Sequence, residues 1–189
     1  MKLVLVVLLV AALSACGRQG PTPAANPAPP PETRVVASNG GSDTGLDATA
    51  LAFVELVVAT DDQAVKLLDL GAERAMSPRL KVFAGELAAA RRAEAERLRG
   101  ILDTARVPYV NNHAGHDMPG MPTEAELVAL RAAQDFDAEF TRLARAHLIE
   151  SATVAESGAK SVAHEETKAI AREMVRERAS ALRSLDTLG

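Results

Sequence analysis

Two stretches of this 189-residue chain match each other at a fixed offset of 87 residues, and that match limits the architectures open to it. Phe53 falls on Phe140, Gly71-Ala72 on Gly158-Ala159, Ala84 on Ala171, Leu87 on Met174, Arg91 on Arg178 and Leu98 on Leu185. Each copy holds two segments whose apolar residues recur at helical spacing. The first copy predicts helices from about Ala48 to Leu70, ending at Gly71, and from Pro78 to about Asp103, with Ser77 placed before a first-turn proline. The second predicts helices from about Phe136 to Ser157 and from about His164 to Thr187. Between them Thr123 and Glu126 have the spacing of a capping box, which predicts a short helix reaching about Ala132. No segment alternates as a strand does. The chain reads as all-α, two repeated helical hairpins joined by a long crossover connection.

A four-helix bundle with one long crossover is the arrangement of ferritin-like folds. Helical spacing then fixes which side chains face inward. On the first helix these are Phe53, Val57, Thr60, Ala64, Leu67 and Gly71; on the third, Phe140, Ala144, His147, Ser151, Val154 and Gly158. The second helix offers Leu80, Ala84, Leu87, Arg91, Glu94 or Ala95, and Leu98. A charged Arg91 on an apolar stripe needs a partner, and Asp61 or Glu94 is expected to supply it. His147, inward and alone, reads first as a hydrogen-bonded core residue. His164 reads as an exposed residue at a helix start.

The chain before the bundle has a different character. Lys2 precedes the apolar run "LVLVVLLVAAL", which is shorter than the roughly 20 residues of a bilayer span and reads as a secretory signal. Leu13-Ser14-Ala15-Cys16 resembles the lipobox of bacterial lipoproteins, in which cleavage before the cysteine frees it for lipidation. Residues 1–15 are thus expected to be a lipoprotein signal peptide, with Cys16 the lipidated residue. Cys16 is the only cysteine, so neither a disulfide nor a cysteine metal site is open to the chain. Residues 16–46 are rich in Pro, Gly and Ala with little to bury; they read as a disordered tether, part of it semi-rigid polyproline. Residues 47–189 form the bundle domain. The expected location is the cell envelope, anchored to a membrane through the N-terminal lipid. Gly17 lacks the aspartate associated with inner-membrane retention, which points to the outer membrane if the organism has one.

Several function classes lack their residues. A net charge of −4 with acidic and basic residues interspersed, and only four Phe, one Tyr and no Trp, argues against nucleic acid. There is no phosphate-binding glycine loop, Gly-x-Ser-x-Gly elbow or His-Glu-x-x-His helix, and no Glu-x-x-His for an oxidative di-iron centre. The chain does not read as an enzyme. One segment does carry chemistry. "HAGHDMPGM" places His113, His116, Met118 and Met121 within nine residues. Imidazole and thioether suit copper, and thioether favours the cuprous ion. Packing is the competing role for the methionines, which fill irregular gaps readily.

The two hairpins, with "HDMPGMPTEAELVAL" and "FDAEF" between them, resemble the bacterial family known as domain of unknown function 305 over nearly all the chain beyond the tether. The resemblance implies a ferritin-like fold, with Met-x-x-His-His on the first helix of each hairpin and Gln-x-x-Glu-Ile on the second. It also implies a Met-Pro-Gly-Met segment between the hairpins and, for several members, copper binding or copper tolerance in the envelope. Here the first pair of motifs reads Val57-Val58-Ala59-Thr60-Asp61 and Ala144-Arg145-Ala146-His147-Leu148. The second pair reads Arg91-Arg92-Ala93-Glu94-Ala95 and Arg178-Ala179-Ser180-Ala181-Leu182. Only His147 and Glu94 keep the family's polar residues, so they and Asp61 are secondary metal candidates. Arg91 and Arg178 stand where the glutamines would be and read as structural ion-pair partners. Met118-Pro119-Gly120-Met121 survives whole.

Two functions remain open. One is an envelope lipoprotein that binds or buffers copper through the 113–121 loop. The other is a lipid-anchored helical module that binds an envelope protein, its metal chemistry lost. The sequence names neither a partner protein nor an oligomeric state.

Overall fold

The computed structural model describes residues 45–188. The expected signal peptide, Cys16 and all but the last two residues of the expected tether lie outside them. Five helices follow in order: α1 (Ala48–Arg74), α2 (Pro78–Thr104), α3 (Glu124–Ala132), α4 (Phe136–Ser161) and α5 (Glu165–Asp186). No strand occurs among the described residues. α1 packs on α2 and α4 on α5 as two hairpins, α1 joins the hairpins by lying against α4, and α3 rides on the crossover. The all-α bundle expected from the repeat is the fold observed.

Local signals set the helix ends. Asp47, Ser77, Thr123, Asp135 and His164 each accept a backbone N–H of the first turn, relieving donors that have no intrahelical partner. At α3 the capping box is complete, Glu126 returning the bond to the Thr123 N–H at 3.0 Å. His164 is therefore not a merely exposed terminal residue: half-buried, it caps α5 through Nδ1, 3.3 Å from the Thr167 N–H. Two helices run further than expected, α1 to Arg74 and α4 to Ser161. Gly71 and Gly158 lie inside them, because each glycine serves packing and not termination.

The packing at those glycines fixes the central interface. A Cβ on Gly71 would come within 2.3 Å of the Phe140 ring, and one on Gly158 within 2.2 Å of the Phe53 ring. Phe53, early in α1, meets the end of α4, while Phe140, early in α4, meets the end of α1. The two helices are antiparallel, and the repeat is built as two equivalent Phe-on-Gly contacts. Around each lies an apolar cluster. One contains Leu67, Leu68, Leu127, Leu130 and Leu148, the other Val54, Leu98, Leu102, Ile170 and Met174. Asp137 of α4 ties the hairpins at the surface by accepting the N–H groups of Met76 and Ser77 at 2.8 and 2.9 Å.

Most of the inward stripe is buried as expected, including His147, Arg91, Glu94 and Ala95. Thr60 and Val154 are only half-buried. Their neighbours Asp61 and Ala155 are fully buried in their place.

Candidate functional site

The loop from His113 to Met121 holds two turns of one kind. The His116 N–H donates to the His113 carbonyl at 3.1 Å, and the Met121 N–H donates to the Met118 carbonyl at 3.0 Å. Gly115 and Gly120, third in their turns, have φ of 76° and 70°; Ala114 and Pro119, second, do not have positive φ. Positive φ at the third position alone defines a type II turn, which glycine adopts without a Cβ penalty and for which proline at the second position is pre-set. A β-turn brings its first and fourth Cα atoms to less than about 7 Å. The ends of the first turn are the two histidines, and the ends of the second are the two methionines. Each turn thus gathers one like pair of soft-metal donors.

The two pairs face different spaces. His113, His116, Asp117 and Met121 line a cleft of about 360 Å³ that also reaches Gln63, Lys66 and Glu124. Met118 instead lines a neighbouring cleft of about 200 Å³ beside Leu143 and Ala146 of α4, and Met121 borders both. His116 is exposed, His113 and Met118 half-buried and Met121 buried. Among the described residues no three His, Cys, Asp or Glu side chains converge as a metal cluster. Met121 adds a thioether sulfur to the donors that line the larger cleft.

Beneath the second turn the loop is held by α4. Gly120 lies so close that a Cβ would come within 2.4 Å of the Glu150 Cβ and 3.0 Å of the Ala146 carbonyl oxygen. Its own carbonyl accepts the Nδ1–H of His147 at 3.2 Å. A carbonyl can only accept, so the proton is on Nδ1 and Nε2 presents a lone pair. His147 is 1% exposed. Burial, and then the nearby Arg91 charge, push its pKa down to about 4, so the ring is neutral at ordinary pH.

Deeper in, side chains from α1, α2 and α5 form a buried charge cluster. Arg178 donates to both oxygens of Glu94 (Nη1 to Oε2 at 2.9 Å, Nη2 to Oε1) and from Nε to Ser151 Oγ at 3.3 Å. Arg91 donates to Glu94 and to Glu177, both at 3.2 Å. Asp61 lies 3.5 Å from Arg178 and 4.0 Å from Arg91. Of the two partners expected for Arg91, Glu94 is hydrogen-bonded to it and Asp61 stands at 4.0 Å; Glu177 is a third, and the repeat-related Arg178 binds the same Glu94. Burial raises the pKa of both buried carboxyls, and the adjacent Asp61 carboxylate raises Glu94 further, while the Arg91 guanidinium pulls both down. Two buried carboxyls side by side, each raised by burial, favour a single proton held on the Asp61–Glu94 pair. For the secondary candidates Asp61, Glu94 and His147 this is a poor setting for a cation: two guanidiniums already engage the carboxylates, and His147 has one nitrogen committed to the loop.

The fold and loop define an all-helical bundle with a His/Met loop seated on one helix. The chain belongs to the DUF305 family, a domain of unknown function whose model matches residues 51–188. No curated protein matches it. Among solved structures it is similar to a DUF305 fragment from Deinococcus radiodurans (18% identity, TM-score 0.66, covering 75% of this chain and 95% of that one). It is also similar to a DUF305 protein from Streptomyces coelicolor predicted to be secreted (22% identity, TM-score 0.68, covering 74% of this chain and 89% of that one). At these identities the likeness is one of fold.

Proposed function

We propose that the chain is a lipid-anchored protein of the cell envelope that binds or buffers copper through the 113–121 loop and catalyses no reaction. The observation that carries this reading is the tandem turn, which closes His113 on His116 and Met118 on Met121. Two imidazoles and the Met121 thioether border one cleft, a donor set that suits cuprous copper better than zinc or a hard cation. The donors are not locked in place, since His116 is exposed and the first turn packs loosely, with open space around Gly115. The ion draws the first turn toward Met121, which suits reversible uptake. No helix among the described residues is long and apolar enough to cross a membrane; in this reading the attachment is through acyl chains on Cys16. The predicted secretion of the Streptomyces relative agrees with a place outside the cytoplasm.

The other reading, a module that binds an envelope protein, is favoured by Met76 (84% exposed) and Val82 (58% exposed), apolar residues at the α1–α2 corner. Cuprous titration separates the two. The wild-type chain is expected to retain copper through gel filtration, and His116→Ala, or Met118→Leu with Met121→Leu, to lose it with helical content intact. Wild-type protein that emerges without copper, or variants that bind as tightly as the parent, would leave the loop a connector and favour the interaction module.

A further inference from the structure

α2 and α5 are tied together at one end and part at the other. Arg97 donates to Glu173 at 2.9 Å and Arg91 to Glu177 at 3.2 Å. On the Pro78 side of Arg91, no hydrogen bond or ion pair joins the two helices among the described residues. There they leave two surface clefts, of about 500 and 300 Å³, which share Phe83, Glu86 and Ser184 and so form one groove. Phe83, Leu87 and Ala181 give it an apolar floor, and Val82 stands 58% exposed on its lip. The charges of α2 divide along the same line. Of its five arginines, Arg91, Arg92, Arg97 and Arg99 are each ion-paired; among the described residues Arg79 alone is not. Of its three glutamates, Glu94 and Glu96 are paired and, among the described residues, Glu86 is not. Arg79 and Glu86 are both exposed and both border the groove. They stand one heptad apart, about 10 Å along the helix and too far to pair with each other, with Val82 and Phe83 midway between them.

We propose that this groove is the interface of a homodimer, in which α2 lies antiparallel across α2 of a second copy, with a twofold axis passing between Val82 and Phe83. A twofold contact presents one patch from both sides, so residue i meets residue j and j meets i. With the axis at that point, Arg79 of each copy faces Glu86 of the other, and the two unpaired charges are met twice over. Val82 and Phe83 leave water at the centre, with the charges outside them as a polar rim. The rim also sets the direction. A parallel pairing would oppose Arg79 to Arg79 and Glu86 to Glu86. Met76, 84% exposed at the α1–α2 corner, falls opposite Ala89 and Ala90, over the far end of the other copy's groove. The match of one patch to itself is what selects a second copy; an unrelated protein would need no such internal complementarity. The face from Pro78 to Ala90 is about 20 Å long, at the small end of specific interfaces, so the dimer exchanges with monomer. It does not depend on copper, since the 113–121 loop is seated on α4.

Sedimentation equilibrium of the full chain, in density-matched detergent with micelles in excess, tests this. The average mass is expected to rise with protein concentration and to stop at twice that of the monomer. Arg79→Glu leaves the face with two acidic groups, and Glu86→Arg leaves it with two basic ones. Each should weaken self-association about tenfold or more, because opposed like charges are costly. Mixed in equal amounts, the two variants should associate again, and the chain carrying both reversals should dimerise as the wild type does. Both positions are exposed, so helical content should not change. A wild-type chain that stays monomeric, or one that grows beyond twice the monomer mass, would overturn the proposal; the first result would leave the groove to a different protein. Single reversals that dimerise as tightly as the parent, or a mixture that associates no better than either variant alone, would overturn it as well by placing these charges outside the contact.

Discussion

The Phe140 ring occupies the space that a side chain on Gly71 would need, a Cβ there coming within 2.3 Å of it. Phe53 and Gly158 repeat the relationship 87 residues out of step in each partner. Gly71→Ala or Gly158→Ala is therefore expected to force the ring or the helices apart and destabilise the bundle by about 1–3 kcal/mol, the usual range for overpacking. Phe140→Ala leaves a cavity and should cost about 3–5 kcal/mol. Denaturant unfolding of each single mutant and of Gly71→Ala with Phe140→Leu checks this: the smaller ring should recover part of the loss caused by the alanine. Additive effects would show that the glycine is not there for the ring.

The Arg178–Glu94 contact is buried and two-pronged, unlike the many surface pairs such as Arg92–Asp69, whose partners are about half exposed. Removing one partner of a buried pair leaves an uncompensated charge and typically costs about 3–5 kcal/mol, while an exposed pair contributes about 0–1. Arg178→Met and Glu94→Gln are each expected to be strongly destabilising, and the double variant less so than their sum. Arg91→Met should couple likewise to Asp61→Asn and to Glu94→Gln. Strict additivity in these cycles would rule out a cluster acting as one unit.

The hairpins were legible in the sequence because their determinants are local and repeated. Spacing marks each helix, Ser77-Pro78 and Thr123 mark starts, and Phe on Phe with Gly on Gly at one offset marks the repeat, while the Phe-on-Gly contacts between copies appear only in the structure. The buried Asp61 was harder to read. The spacing offers it as a partner for Arg91 but draws the inward stripe through its neighbour Thr60, so its full burial is not foreseen; only the guanidiniums of Arg91 and Arg178 make that burial tolerable. Arg178 is 84 residues from Glu94, so their meeting depends on how α2 and α5 approach, which spacing along one helix does not contain. The loop is split in the same way. Pro119-Gly120 announces a turn, but which cleft each donor faces follows from the seat of Gly120 on Glu150 and Ala146.

His147 gives stability a definite pH dependence. Unfolded, the ring titrates near 6.5; folded, it stays neutral down to about 4. Between those values the unfolded state binds more protons, so stability rises with pH across the window and is lost as the solution is acidified. The full span is worth about 3 kcal/mol at 1.36 kcal/mol per unit. His147→Gln keeps a donor for the Gly120 carbonyl and removes the titration. The difference between wild type and this variant should grow from pH 4 to pH 6.5 and stay flat above it. A difference that does not vary with pH would show the ring to titrate alike in both states.

Cys16→Ser is expected to block lipid attachment and cleavage, leaving a larger precursor. Wild-type protein should need detergent for release, because several acyl chains anchor a protein stably where one does so only marginally. Correctly cleaved wild-type protein found free in solution would remove the anchor from the account.

Gly115 and Gly120 offer a matched contrast for the loop itself. Both hold positive φ, 76° and 70°, so alanine at either is strained by about 1–2 kcal/mol. A Cβ on Gly115 meets nothing within 4 Å, whereas one on Gly120 would collide with the Glu150 side chain at 2.4 Å. Gly120→Ala must therefore lift the second turn from α4 as well as strain it, pulling the carbonyl away from His147 Nδ1. It is expected to cost about 1–3 kcal/mol beyond Gly115→Ala, to expose the imidazole, and to raise the His147 pKa toward 6.5 as burial is relieved. Copper affinity should also fall further in Gly120→Ala, since Met118 and Met121 lose the turn that pairs them. Unfolding curves with an NMR titration of the imidazole measure the first three effects, and a cuprous competition assay measures the fourth. Equal behaviour of the two variants would mean that α4 does not hold the Met-Pro-Gly-Met turn in place.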